Sequence, residues 1–296
     1  MRMKNFFGTA AGVVLCLVFA ASCRQGNRPL MMESFHYEDS TEHVSLSMKV
    51  ELPADAGQAA KAIRARLQMD MDEYLSRVTS YEGDRLFDPF AGDKGNTQAF
   101  VTYYGSSLLA ALGKNAKDDA DERVAYIQED PSFTEEDKAE FIAGIPDWEY
   151  DFTFSKVEET PGYVVFRSQD YTYLGGAHGG VGGDGWRTFR KKDGSLVEHL
   201  VDRTRENDMQ PLLIAGLLRY YKEMDVEMTE EELLDNLMID QRHIPLPVWE
   251  PYPTAEGLLF TYHQYEIASY AEGMPSFVVP YDEIDPYLTP EAKQLL

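Results

Sequence analysis

The chain has 296 residues, 44% of them hydrophobic and 26% charged, which is enough apolar material for a substantial core and a charge content typical of globular proteins. Its 51 acidic residues against 27 basic ones give a formal charge of −24, which repels a phosphate backbone and argues against nucleic-acid binding. Two cysteines exclude a disulfide scaffold or a cysteine-based zinc module.

The first elements describe export. Arg2 and Lys4 form a basic start, and Ala10 to Ala21 is an uncharged apolar run, shorter than the ~20 residues that a spanning helix needs. Ala20, Ala21 and Ser22 precede Cys23, and that pattern resembles a relaxed bacterial lipobox. The expectation is a signal peptide over 1–22 and a lipid on Cys23, since several acyl chains together give a durable anchor. Cys16 would leave with the leader, so no disulfide could form. Residues 23–40 are polar and read as a flexible tether.

Beyond Thr41, Val44, Leu46, Met48 and Val50 alternate with polar residues and predict a strand. Ala59, Ile63, Leu67, Met71, Leu75 and Val78 predict an amphipathic helix, followed by a glycine-rich loop to Gly95. Gln98 to Leu112 predicts a buried helix ended at Gly113, with a charged segment to Asp130. Thr134 caps a short helix. Trp148 to Val157 and Gly162 to Tyr173 predict a hairpin. Leu174 to Gly185 reads as a loop, and a second hairpin is expected around Lys192-Asp193-Gly194, with strands at Trp186 to Arg190 and Ser195 to Leu200. Asn207 or Asp208 is expected to cap a helix. Thr229 with Glu232 forms a capping box. Four prolines between Pro245 and Pro253 keep that stretch extended. Strands at Gly257 to Tyr265 and Ser276 to Tyr281 precede a helix at Thr289-Pro290.

Helices and strands follow one another without βαβ alternation. The expected fold is therefore α+β, with a mixed, mainly antiparallel sheet built from hairpins, packed helices and two sequence-adjacent subdomains, 41–180 and 181–296.

Two stretches carry a resemblance. Residues 171–179 read Tyr-Thr-Tyr-Leu-Gly-Gly-Ala-His-Gly after a hairpin. Further on come Gly257 to Tyr262, Tyr265 to Ala268, Tyr270 to Gly273 and Val278 to Tyr281. Together they resemble the family formed by the extracellular part of the anti-sigma factor RsiV and the accessory region of the peptidoglycan deacetylase PdaC. The matching stretches include neither a sigma-binding segment nor a metal-dependent deacetylase domain, so the resemblance implies no reaction. It implies instead a module whose best-known role in the family is recognising lysozyme at the cell surface. Candidate ligand-binding residues on the matching positions are Tyr173, Gly175, Gly176, His178, Gly179, Tyr262 and Tyr265.

Each candidate has a plainer alternative. The glycines could cradle a phosphate, but Lys and Ser/Thr are absent at P-loop spacing, and a bulged crossover between hairpins explains them as well. His178 could act as a general base or metal ligand, yet no histidine pair shows metal-site spacing, and a hydrogen bond to a loop carbonyl would also account for it. Pairs such as Asp118-Asp119 and Glu135-Glu136 read as solvated faces. The aromatic tail with Trp249, Tyr252, Phe260, Tyr262, Tyr265 and Tyr270 reads as core or as interaction surface. No catalytic residue, metal or cofactor is expected. The leading expectation is a non-enzymatic envelope lipoprotein, facing the periplasm or exterior, that binds a basic protein such as lysozyme or a cell-wall component. A peptidoglycan- or polysaccharide-modifying enzyme and a structural subunit of an envelope complex are the alternatives.

Overall fold

The structure, a computed structural model, describes residues 28–77, 85–176 and 180–296. The leader, Cys23, His178 and Gly179 lie outside them.

Alternation of apolar residues builds the first sheet. β1 (Met32–Ser40) turns at Thr41, whose N–H donates to the Val44 carbonyl at 2.8 Å, into the antiparallel β2 (Val44–Pro53). Val44, Leu46, Met48, Val50 and Leu52 of β2 are all buried on one face. β2 runs parallel to β3 (Trp148–Glu159), with Val44 opposite Trp148 and Val50 opposite Phe154. β3 forms the expected hairpin with β4 (Tyr163–Tyr173), and β5 (Val181–Arg190) pairs antiparallel with β4. The strand order is β1-β2-β3-β4-β5.

Between β2 and β3 the chain supplies three helices: α1 (Gln58–Leu75), α2 (Thr97–Glu129) and α3 (Glu135–Ala143). Ile63, Leu67, Met71 and Leu75 of α1 and Phe100, Tyr104, Leu108 and Leu112 of α2 share a core with the apolar stripes of β2, β3 and β4. α2 does not end at Gly113, as the sequence led us to expect. Ala116 and Ala120 continue its buried face, and Lys117 with Asp121 and Asp119 with Arg123 pair four residues apart along its charged part. An internal glycine such as Gly113 costs a 33-residue helix little beside such burial.

The second half is built on shorter elements. α4 (Glu206–Glu223) and α5 (Glu230–Asn236) pack on an antiparallel sheet of β6 (Tyr252–Pro253), β7 (Gly257–Thr261) and β8 (Ser276–Pro280), closed by α6 (Tyr281–Ile284) and α7 (Pro290–Leu295). Leu213, Leu217, Leu233, Phe260, Tyr262 and Phe277 belong to its core. The threonine caps at Thr134, Thr229 and Thr289 are all present. α4 starts differently from expectation. A 3-10 turn at Arg203–Arg205 leads into it, and the side chain of Asp202 caps that turn by accepting from the Thr204 N–H.

The two halves meet on the far face of the first sheet. Tyr163, Val165 and Trp186 point away from α1 and α2 and pack with Trp249, Tyr252 and Leu295. The Trp186 and Tyr252 rings stack at 5.0 Å.

The fold is α+β with mainly antiparallel sheets, as expected, but three borders move. Residues 32–40, placed in the tether, are the edge strand β1. The stretch 181–190, placed in the second subdomain, is β5 of the first sheet, so 180 is not a border between sheets. The second hairpin keeps its turn at Lys192 to Gly194, but its return strand shrinks to the single bridge Phe189–Leu196.

Candidate functional site

The end of the β4–β5 hairpin carries the first family-like motif, and the structure brings the second motif to it. β4 ends through Asp170, Tyr171 and Tyr173. β5 begins with glycines at 182, 183 and 185, which the sequence reading placed in a loop. At Gly183 and Gly185, side chains of β4 fill the space a Cβ would take. Gly183 faces Asp170, and a Cβ there would sit 2.4 Å from Asp170 Oδ1.

Asp170 points to the helix-covered face. The Tyr74 hydroxyl of α1 donates to its Oδ1 at 2.7 Å. Burial pushes the Asp170 carboxyl above its ordinary value and the nearby Asp184 adds to this, while the Tyr74 hydrogen bond and His263 offset it in part. Burial and the Asp170 charge also push the Tyr74 and Tyr150 phenols upward. The Tyr150 hydroxyl and His263 Nε2 are buried without a hydrogen-bond partner among the described residues.

Past Tyr173, which is half-buried at the strand end, the chain turns at Gly175. Its φ of 67° is a left-handed conformation that suits glycine. Gly175 is buried against Pro146 and Trp148, and its carbonyl accepts from Arg123 Nη1 at 3.2 Å. Gly176 is exposed with open space around it. Gly175 therefore anchors the turn onto α2, and Gly176 alone of the two faces solvent.

Gly180 is the meeting point. The Tyr171 ring lies over it, and its carbonyl accepts a hydrogen bond from the Tyr270 hydroxyl. The Tyr265 ring lies 6.0 Å from that of Tyr270. Tyr265 is 58% exposed and holds a left-handed backbone, φ 65°, and Tyr171 is 38% exposed. Three tyrosines from two distant segments thus form one surface beside a glycine-rich turn. Tyrosine rings offer large, stiff contact area with a polar tip, which suits recognition of another molecule.

Tyr262 does not join them. It is fully buried in the second core, and its hydroxyl donates to the Pro245 carbonyl at 2.8 Å, so its role is to hold the proline-rich stretch in place. Cys23, His178 and Gly179 lie outside the described residues. Asp170, Tyr74 and Tyr150 were missed as site residues. The signal for Asp170 was its place directly before the motif, but its partners lie on α1 and β3, far away in sequence. Among the described residues, no group of three or more His, Cys, Asp and Glu side chains is placed to hold a metal ion, and no helix is long and apolar enough to cross a membrane.

Comparisons with known proteins agree with this architecture. A search of curated proteins returns no match. Among solved structures, a DUF3298 family protein from Pseudomonas aeruginosa PAO1 is similar with a TM-score of 0.52 and 14% identity, over 90% of this chain and 98% of that one. A DUF3298 family member from Bacteroides fragilis NCTC 9343 is similar with a TM-score of 0.53 and 14% identity, over 90% and 97% of the two chains. At that identity the likeness establishes shared fold alone. Residues 220–282, which include Tyr265 and Tyr270, match the family model described as a protein of unknown function, DUF3298, so the chain carries a DUF3298 domain on a fold shared with DUF3298 proteins.

Proposed function

We propose that this chain is a non-enzymatic recognition module of the bacterial cell envelope, similar to the RsiV module, held to the membrane by a lipid on Cys23. The observation that carries the reading is the convergence of the two motifs on Gly180, where Tyr171, Tyr265 and Tyr270 form a surface out of side chains and backbone. A formal charge of −24 adds long-range attraction for a basic partner, lysozyme or another wall-associated protein, and speeds encounter at low salt. Calorimetry with the processed protein and a lysozyme tests this at two salt concentrations. Binding that weakens with salt, and that Tyr265→Ala weakens by about tenfold or more, supports it. No heat and no complex at either salt overturns it. For the anchor, Cys23→Ser is expected to move the protein from the membrane to the soluble fraction.

One observation favours a wall-modifying enzyme as the second reading. Asp170 is a carboxyl raised by burial, in a neighbourhood that also holds a tyrosine hydroxyl and an imidazole nitrogen buried without a hydrogen-bond partner among the described residues. Asp170→Asn separates the two. It leaves a recognition module binding its partner and abolishes turnover of wall fragments by an enzyme.

A further inference from the structure

A cavity of about 360 Å³ opens where the two halves meet, and its lining is unusual for so acidic a chain. Arg66 from α1, Arg187 from β5, Arg203 and His199 all reach it, together with Trp249 and Thr188. These residues come from four separate stretches of sequence, so no local run of basic residues accounts for the cluster.

The bases are held from behind by two carboxylates. Asp70 accepts from Arg66 Nε through Oδ1 at 2.8 Å and from Arg187 Nε through Oδ2 at 3.1 Å, and it does not line the cavity itself. Glu250 Oε2 lies 3.3 Å from Arg203 Nη1 and 3.2 Å from His199 Nδ1, while its Oε1 accepts the N–H groups of Leu200 and Val201. The side chains of Asp70 and Glu250 are 15% and 17% exposed, those of the three arginines 30–37%, so the carboxylates sit deeper and the guanidinium groups stand in front. The Arg187 guanidinium also lies over the Trp249 ring at 5.0 Å, which fixes its plane.

This bonding leaves specific donors over. Arg203 spends both terminal nitrogens on Glu250 and on the Leu246 and Pro247 carbonyls. Arg66 bonds through Nε alone, and Arg187 through Nε and Nη1, the latter to the Trp186 carbonyl. Both Nη atoms of Arg66 and Nη2 of Arg187 thus make no hydrogen bond with a described residue. If the cluster only tied β5 to α1, the Arg187 Nε contact to Asp70 would suffice. Two guanidinium groups held through part of their donors, with terminal N–H groups left over, suit the capture of an oxyanion.

We infer that this cavity binds the oxyanion group, carboxylate or phosphate, of a small ligand of about dipeptide or monosaccharide size, with Arg66 and Arg187 as the contacting residues. Asp70 acts as a positioning residue that aims both. Glu198 on the same lining offers an acceptor to a hydroxyl or amine group of the ligand's remainder. The site shares no residue with the tyrosine surface and stands or falls separately from it.

The test is a titration of the processed full chain followed by ¹H–¹⁵N spectra, reading the Trp249 indole and His199 signals. The probes are inorganic phosphate, the dipeptide Ala-Ala and its C-terminal amide, each up to roughly 50 mM, enough to detect millimolar binding. Saturable shifts with phosphate, with Ala-Ala, or with both support the inference, and which probe acts tells the two oxyanions apart. Arg66→Gln is expected to weaken that binding by about tenfold or more while the thermal midpoint stays close to that of the parent. Tyr265→Ala is expected to leave it unchanged. No shift with either probe overturns the inference. So does equal binding of Ala-Ala and its amide when phosphate gives no shift, or retention of binding in both Arg66→Gln and Arg187→Lys.

Discussion

The two halves of the molecule satisfy their backbone by different means. In the first, strands of nine to twelve residues and two long helices bond their own N–H and C=O groups, and side chains are free to pack. In the second, strands run from two to five residues, and side chains take over the task. The stretch with Pro245 and Pro247 lacks the N–H groups a sheet requires. Arg203 takes the Leu246 and Pro247 carbonyls, Tyr262 takes that of Pro245, and Gln210 both donates to the Ile244 carbonyl at 2.8 Å and accepts from its N–H at 3.0 Å. Apolar pattern therefore specifies the first half, whereas single polar side chains specify much of the second.

The largest expected effects test whether the halves stand as one unit. Phe152→Ala in the first core and Phe260→Ala in the second should each cost about 3–5 kcal/mol in urea denaturation. The seam of Trp186 on Tyr252 couples the cores, so each change should shift one shared transition. Trp186→Ala should split it in two. A single unchanged transition in Trp186→Ala would break the comparison.

Polar truncation should separate the halves more sharply. Gln210→Ala strands the buried Ile244 backbone and should cost about 1–3 kcal/mol. Gln98→Ala, which loses an exposed contact to the His36 carbonyl at 3.3 Å, should stay within about 0.5 kcal/mol. Equal costs in thermal melts would refute the distinction.

The smallest expected effects lie within the β3–β4 hairpin, where two carboxylates oppose each other in sign. Burial alone would raise Glu159, but bonds from Lys156, Lys191 and the Leu30 N–H outweigh it and hold its carboxyl below the ordinary value. Its stabilisation is present above the ordinary glutamate value and is lost as pH falls through the depressed one. Asp170 is raised, so its contribution favours the fold below the ordinary aspartate value and is lost as pH rises through the raised one. Glu159→Gln should thus lower the melting temperature at pH 7 and Asp170→Asn should raise it, with both differences closing in acid. Melts of both variants from pH 3 to pH 7 check the opposite signs.

Much of the first half was legible because its cues are periodic. Val44, Leu46, Met48 and Val50 alternate, Ile63, Leu67, Met71 and Leu75 step by four, and both patterns point at the core they form. β1 was not legible, since an edge strand needs one apolar stripe and Phe35 is its only fully buried residue. β5 was hidden because its glycines mark close approach to β4, which alternation cannot reveal. Of the site, Tyr265 and the glycine turn stood out through their motifs. Tyr262 shared a motif with Tyr265 and became core instead, since hydrophobic spacing does not tell a buried tyrosine from a displayed one. The arginine cavity was beyond reach, because its residues are separate in sequence and only docking of the halves gathers them.

Glu159 has one more consequence. It holds the Leu30 N–H at 2.8 Å while Lys191 Nζ donates to the Arg28 carbonyl at 3.1 Å, so the chain is held against the body from Arg28, five residues after Cys23. Five residues of chain reach at most about 18 Å. With the proposed lipid in place, the turn of the β3–β4 hairpin would hang close above the bilayer. The tyrosines around Gly180 sit at the other end of β4, an eleven-residue strand about 35 Å long. Under that proposed anchor, a short stalk and a long strand would together hold the surface outward, away from the lipid headgroups.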